Sequence, residues 1–247
     1  MPDPNYISFQ TEVTWAMRSV LVDWLVEINM KLKLLPETLF LAVYLTDRFL
    51  SIRTVSVTKL QLVGITATLI ASKYEEILSP SISNFVYLSD NTFDDQEILK
   101  AEVYMLNSLQ FNLSYPNPYM FLRRISKGDN YDIQTRTLAK YFLESSLLEH
   151  SFLSYPPSIL AASAMYLARK MIFPKTDWNQ RMSFFSGYSE PQLMPCAKSY
   201  ISFFQRPLAH ETVFKKFSSR RLLKASIFVR DYMVKLQGQT SSTTPAQ

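Results

Sequence analysis

Apolar residues recur at helical spacing along nearly the whole chain, and prolines stand between the periodic runs. The most telling run is 17–28, MRSVLVDWLVEI. On a helix, Met17, Val20, Leu21, Trp24 and Ile28 fall on one side. Val22 and Val26 lie away from that stripe, Leu25 sits between, and Ser19, Asp23 and Glu27 form the only polar wedge. Such a helix is apolar over roughly two-thirds of its circumference, wider than a surface helix needs. Two readings follow: a helix central to a helical domain, or one with a core stripe and a second stripe kept for a partner.

The same periodicity predicts helices at 12–32, 37–52, 59–77, 81–89 and 94–110 in the first half. In the second it predicts helices at 117–127, 132–150, 157–173, 178–186 and 191–205. Pro36 and Pro80 mark breaks, as do Pro116, Pro118, Pro156, Pro157 and Pro174. Ser79 or Ser81 is placed to cap the fourth helix and Asp94 the fifth. Pro195 conflicts with the tenth, which should start later or bend there. The helix around Leu39 answers to that around Leu138, and that around Leu62 to that around Ile159. This lag of about 100 residues fits a duplicated domain, not a short-repeat solenoid. The expectation is an all-α fold of two tandem five-helix domains, 1–113 and 114–237, joined at FNLSYPNP. A disordered tail is expected at 238–247, where nothing is available to bury.

Four glycines in 247 residues argue against phosphate-cradling loops and hairpin-rich β folds. No apolar run reaches the ~18 residues of a membrane span, and MPDPNYISFQ lacks a signal peptide's basic flank and apolar stretch. One cysteine, Cys196, excludes an internal disulfide. The net charge of +5 divides into −5 over 1–113 and +10 over 114–247, so the halves suit different electrostatic partners. His150 and His210 stand alone, and no HExxH, CxxC or P-loop pattern occurs. Neither metal, cofactor nor catalysis is expected.

Three sets of side chains invite a binding role. Lys73 follows the apolar run LVGITATLIAS, and Glu102 stands among Ile98, Leu99, Val103, Met105 and Leu106. Each charge must be paired or reach water. The stripe of Met17, Val20, Leu21 and Trp24 is the second, open to either reading above. Arg123, Arg136 and Lys140 are the third. The last two share a helix face, and three converging cations suit a phosphate, the alternative being a solvated basic face.

Several ordered blocks carry a family resemblance. MRSVLVDWLVE, LLPETLFLAVYLTDRFLS at 34–51 and KLQLVGITATLIASKYEEI at 59–77 closely resemble the cyclin box. FLRRISK at 121–127 and QTRTLAKYFLE at 134–144 resemble the second half of a B-type cyclin. The resemblance runs from about Asn5 to about Lys235. It implies a non-catalytic subunit of a cyclin-dependent serine/threonine kinase, acting in the nucleus and cytoplasm in G2/M or S phase. It implies kinase contacts by Lys73 and Glu102 over an apolar bed of Ile70, Tyr74, Leu106 and Phe111. Met17, Val20, Leu21 and Trp24, with Gln61, would form a groove for Arg-x-Leu peptides, and Glu27 would meet the peptide's arginine. Arg123, Arg136 and Lys140 would receive phosphorylated partners. Arg18 and Asp47 would form an internal ion pair. The helix preceding the first box in such proteins would be missing or cut to PNYISFQ. RSVLVDWLV looks like an Arg-x-x-Leu degradation signal, but within a packed helix it cannot be presented as an extended peptide. Neither membrane nor nucleic acid is expected as a partner. The rivals are a cyclin-fold transcription factor using the basic half, and a scaffold that docks peptides without activating a kinase.

Overall fold

The computed structural model describes residues 1–241, with side chains to 238. Helices and their connections make up the described residues, with no strand among them. Two compact units form. The first comprises Met1–Asn117 together with Leu147–Ser154, and the second Pro118–Ser146 with the residues from Tyr155 onward.

The first unit holds α1 (Trp15–Lys31), α2 (Pro36–Leu50), α3 (Val57–Glu75), α4 (Ile82–Leu88) and α5 (Asp95–Ser108). Thr14 caps α1 by accepting the Met17 N–H, and Asp94 caps α5 by accepting that of Glu97. Ser81 occupies the cap position of α4, but its hydroxyl pairs with that of Ser83 at 2.8 Å. Pro36 opens α2, where its missing N–H costs nothing. The run from Leu60 to Ser72 on α3 is buried on almost every side, because α1, α2, α4 and α5 all pack on it. Val22, Leu25 and Val26 of α1 are buried, leaving Met17 and Val20 outside.

The second unit repeats the order with α6 (Pro118–Ile125), α7 (Ile133–Ser146), α8 (Pro157–Ile172), α9 (Gln180–Ser186) and α10 (Glu190–Gln205). Here α8 is central, packed by α6, α7 and α10. Four sequence expectations need correction. Helix 132–150 stops at Ser146, and Leu147–Ser154 passes to the first unit, where a short 3-10 helix holds His150–Ser154. The α10 helix starts at Glu190 and runs through Pro195. A Ser189–Gln192 capping box fixes its start, and near that end Pro195 sacrifices one ladder bond without ending the helix. Beyond 205, α11 (Thr212–Phe217) and α12 (Ala225–Ser241) were not foreseen. Residues 238–241 of the expected tail continue α12, and 242–247 lie outside the described residues.

The scarcity of glycine shows at the turns. Lys33, Asn91, Phe111, Tyr131 and Lys224 are all left-handed. At four of these sites the preceding residue is left-handed as well. In each of those four, the second residue's N–H reaches a carbonyl five residues back, as Phe111 does to Leu106 at 2.9 Å. That bond closes the turn without the glycine usually placed there.

Candidate functional site

The last turn of α3 brings Lys73 to Glu102 of α5. Lys73 Nζ donates to both carboxylate oxygens, at 2.7 and 2.8 Å. Glu102 is nearly buried, while about half of the Lys73 side chain stays in water. The two charges, read separately from sequence, satisfy one another across two helices. Ile70 is buried one turn before Lys73, and Leu106 packs partly against the same core. Tyr74 and Phe111 stand 59% and 65% exposed, so apolar surface flanks a half-open ion pair. The end of α3 is anchored by Glu76, whose Oε1 accepts from the Leu35 N–H at 2.7 Å and the Thr38 hydroxyl at 2.5 Å. Burial, reinforced by the charges of Glu37 and Glu76, raises the pKa of Glu75 beside it.

On α1, Met17, Val20, Leu21 and Trp24 line a groove of about 440 Å³ with Val57, Leu60 and Gln61 of α3. The stripe divides between exposed wall and buried core. Val20 is 61% exposed on the wall, whereas Leu21 is buried in the core and forms the floor. Gly64 makes that floor possible: a Cβ there would stand 2.8 Å from Leu21 Cδ1. Glu27 does not line the groove; it pairs with Lys31 four residues on, at 2.9 Å. Ile28, on the same sequence stripe, is buried.

Arg18 of α1 and Asp47 of α2 meet in the buried interior of the first unit. Arg18 Nε and Nη2 each donate to one Asp47 oxygen at 2.7 Å, and Nη1 donates to the Leu147 carbonyl at 2.8 Å. Burial is the largest influence on the arginine's pKa and lowers it, but the charge and hydrogen bonds of Asp47, with those of Tyr6, together outweigh burial and raise it. The Tyr6 hydroxyl donates to the same carboxylate at 2.9 Å. Burial, aided by Asp47, pushes that hydroxyl's pKa far up. Tyr6 belongs to a short 3-10 helix, Tyr6–Phe9, inside PNYISFQ. Its role was not read from sequence, and an aromatic hydroxyl in an otherwise unpatterned segment was the only signal. Trp15, stacked on His150 at 4.5 Å, was missed as well.

In the second unit, Arg123 sits in the last turn of α6, and Arg136 and Lys140 lie on α7, which packs on α6. Arg123 is exposed and the other two are half-buried. Lys140 Nζ lies 5.7 Å from the centroid of the Tyr119 ring. The Tyr119 hydroxyl donates to Glu144 Oε1 at 2.9 Å, and Lys216 Nζ reaches Oε2 at 2.6 Å. The acid absent from the sequence reading of this cluster is thus a buried one, Glu144, one turn beyond Lys140. No group of metal-ligating side chains occurs among the described residues.

Known proteins match this chain along its length. A family model described as "Cyclin, N-terminal domain" matches residues 1–114, and one described as "Cyclin, C-terminal domain" matches 116–231. The chain is 55% identical to the G2/mitotic-specific cyclin cdc13 of Schizosaccharomyces pombe, over 95% of the chain and 48% of that protein. It is 52% identical to the G2/mitotic-specific cyclin-B of Emericella nidulans, over 95% and 49%. The chain therefore spans about half the length of these curated relatives. A viral cyclin from herpesvirus saimiri shares the fold, with a TM-score of 0.71 at 20% identity over 79% of this chain and 87% of that one. Two adjoining cyclin-domain matches over an all-helical, twice-repeated fold lead to one conclusion: the chain belongs to the cyclin family.

Proposed function

We infer that this chain is the cyclin-box portion of a B-type cyclin that binds and activates a cyclin-dependent serine/threonine kinase. It contributes no catalytic group. The observation that carries this reading is the Lys73–Glu102 pair, half open to water between exposed Tyr74 and Phe111. A kinase segment laid there covers apolar surface and finds a lysine and a carboxylate already oriented. Covering it stabilises the active position of the kinase's movable helix. The effect is limited to the difference in binding free energy between the kinase's two states. The Met17–Val20–Trp24 groove serves as a second contact, holding Arg-x-Leu substrates or inhibitors near the kinase. Arg123, Arg136 and Lys140 receive phosphorylated partners. Neither nucleic acid nor membrane enters this reading, and no described helix is long and apolar enough to cross a bilayer. The protein acts in the nucleus and cytoplasm. The test adds the purified chain to an otherwise inactive cyclin-dependent kinase and follows phosphate transfer to a short peptide. A large rise in rate is expected, and no rise would overturn the reading.

A further inference from the structure

The connection between α3 and α4, residues 76–81, is tied down at two points. Glu76 holds the start of α2 through the Leu35 N–H and the Thr38 hydroxyl. Three residues on, the Ser79 hydroxyl lies 3.0 Å from that of Ser72, which is fully buried in the last turn of α3. Ser72 already gives its proton to the Leu69 carbonyl at 2.8 Å, so Ser79 is the donor of this pair. The Pro80 carbonyl, at 3.4 Å, is a weaker alternative acceptor. Between the two ties, Ile77 is 100% and Leu78 87% exposed. They follow exposed Tyr74 in the chain and add apolar surface beside the Lys73–Glu102 pair.

Ser79 is exposed and stands directly before Pro80. Of the 13 prolines only two follow a serine or threonine, and the other, after Thr244, lies outside the described residues. The residue before a proline is held in extended backbone. An exposed serine so held, outside any helix, is what a proline-directed protein kinase takes as substrate. The helix that follows, α4, is only seven residues long, and the side chain at its cap position makes no bond to it. That end of the connection opens at small cost when an active site takes up the serine.

The surroundings are poorly suited to hold a phosphate. Glu75 and Glu76 stand four and three residues before Ser79. Lys73 is engaged by both oxygens of Glu102. A phosphoserine brings a charge of about −1.5 to −2, which disrupts when set beside acids or within an apolar interface. Its esterified oxygen also has no proton left for Ser72, so one of the two ties opens.

We propose that Ser79 is a phosphorylation site for a proline-directed serine/threonine kinase, and that its phosphate blocks association with the kinase this chain activates. The site itself stands on the loop alone; the blocking effect rests on the kinase contact inferred above. The Ser79 hydroxyl oxygen attacks the γ-phosphorus of ATP bound to the modifying kinase. The bond from that phosphorus to the bridging oxygen breaks, ADP leaves, and the hydroxyl proton passes to the modifying kinase's base.

The test treats the full folded chain with ATP and a purified proline-directed kinase that needs no cyclin, beside Ser79→Ala, which keeps Thr244. Peptide mass spectrometry should find phosphate on Ser79 of the parent. The modified parent should need about tenfold more chain for half-maximal activation of a cyclin-dependent kinase, a modest cost for covering a charged group. Its melting temperature should hold, and a phosphatase should restore activation. Ser79→Ala should activate like the untreated parent, before and after treatment. An untreated parent that activates shows the kinase contact to be sound, and the remaining outcomes then judge Ser79 alone. Ser79 left unmodified while a Ser-Pro peptide is fully phosphorylated would overturn the proposal. So would equal activation by the phosphorylated chain, or an equal loss in treated Ser79→Ala. Weak activation by untreated Ser79→Ala would trace the effect to the lost hydrogen bond and overturn it too.

Discussion

Asp47→Ala should destabilise the first unit by about 3–5 kcal/mol, the usual cost of leaving one member of a buried ion pair alone. The structure indicates why the cost should fall in that range. Arg18 is 2% exposed, and of its three hydrogen bonds two go to Asp47. Without the carboxylate, a buried guanidinium keeps a single carbonyl, Leu147, and the Tyr6 hydroxyl loses its acceptor. Tyr6→Phe should cost less, about 1.5 kcal/mol for a hydrogen bond to a charged group, because Arg18 still neutralises Asp47. Arg18→Met with Asp47→Leu should cost less than Asp47→Ala alone, since no buried charge is stranded. Urea unfolding is the assay, followed by tryptophan fluorescence beside far-ultraviolet circular dichroism. Trp15 and Trp24 report on the first unit and Trp178 on the second, so no single unfolding free energy is assumed for the chain. The reasoning fails if Asp47→Ala costs under about 1 kcal/mol, or if the double variant costs the sum of its singles.

Gly64→Ala should gain about 1 kcal/mol of helix propensity but drive Leu21 upward into the groove, weakening Arg-x-Leu peptide binding by calorimetry while the melting temperature shifts little. Cys196 is buried, and burial pushes its thiol up to about 12, so at pH 8 a disulfide reagent should modify the folded chain far more slowly than the urea-unfolded chain. By linkage, the stability from keeping that thiol neutral is complete below its ordinary value near 9 and is lost as the pH climbs toward 12. Arg136→Glu should abolish any preference for a phosphopeptide over its unphosphorylated form. The control reversal belongs at exposed Arg220, because Lys216 neutralises buried Glu144 and its reversal would disturb the fold.

Much of this was legible because helical periodicity and proline spacing are local signals. Asp94 could be placed as a cap, and the unusual apolar width of α1 seen, without knowing any partner helix. What stayed hidden depended on contacts far apart in sequence. Lys73 and Glu102 each looked stranded because only folding brings α3 against α5. Leu21 could not be split between floor and core without Gly64 beneath it. Glu144 drew no reading from sequence, because only folding closes Tyr119 and Lys216 on it from α6 and α11. The last helix was missed for a different reason. Ala225, Val229 and Met233 recur at intervals of four and are all buried, a stripe too narrow to stand out among exposed polar neighbours. The left-handed turns at Phe111 and Tyr131 escaped because glycine, the usual signal, is absent from them.

Lys73→Ala with Glu102→Ala tests the kinase contact most directly. Removing both charges together leaves no buried carboxylate alone, so the chain should keep its helical content and nearly its melting temperature. Added to a purified cyclin-dependent kinase, the double variant should fail to raise phosphate transfer to a short peptide at concentrations where the parent does. Activation equal to the parent's, from a chain shown to be folded, would contradict the assignment of this surface.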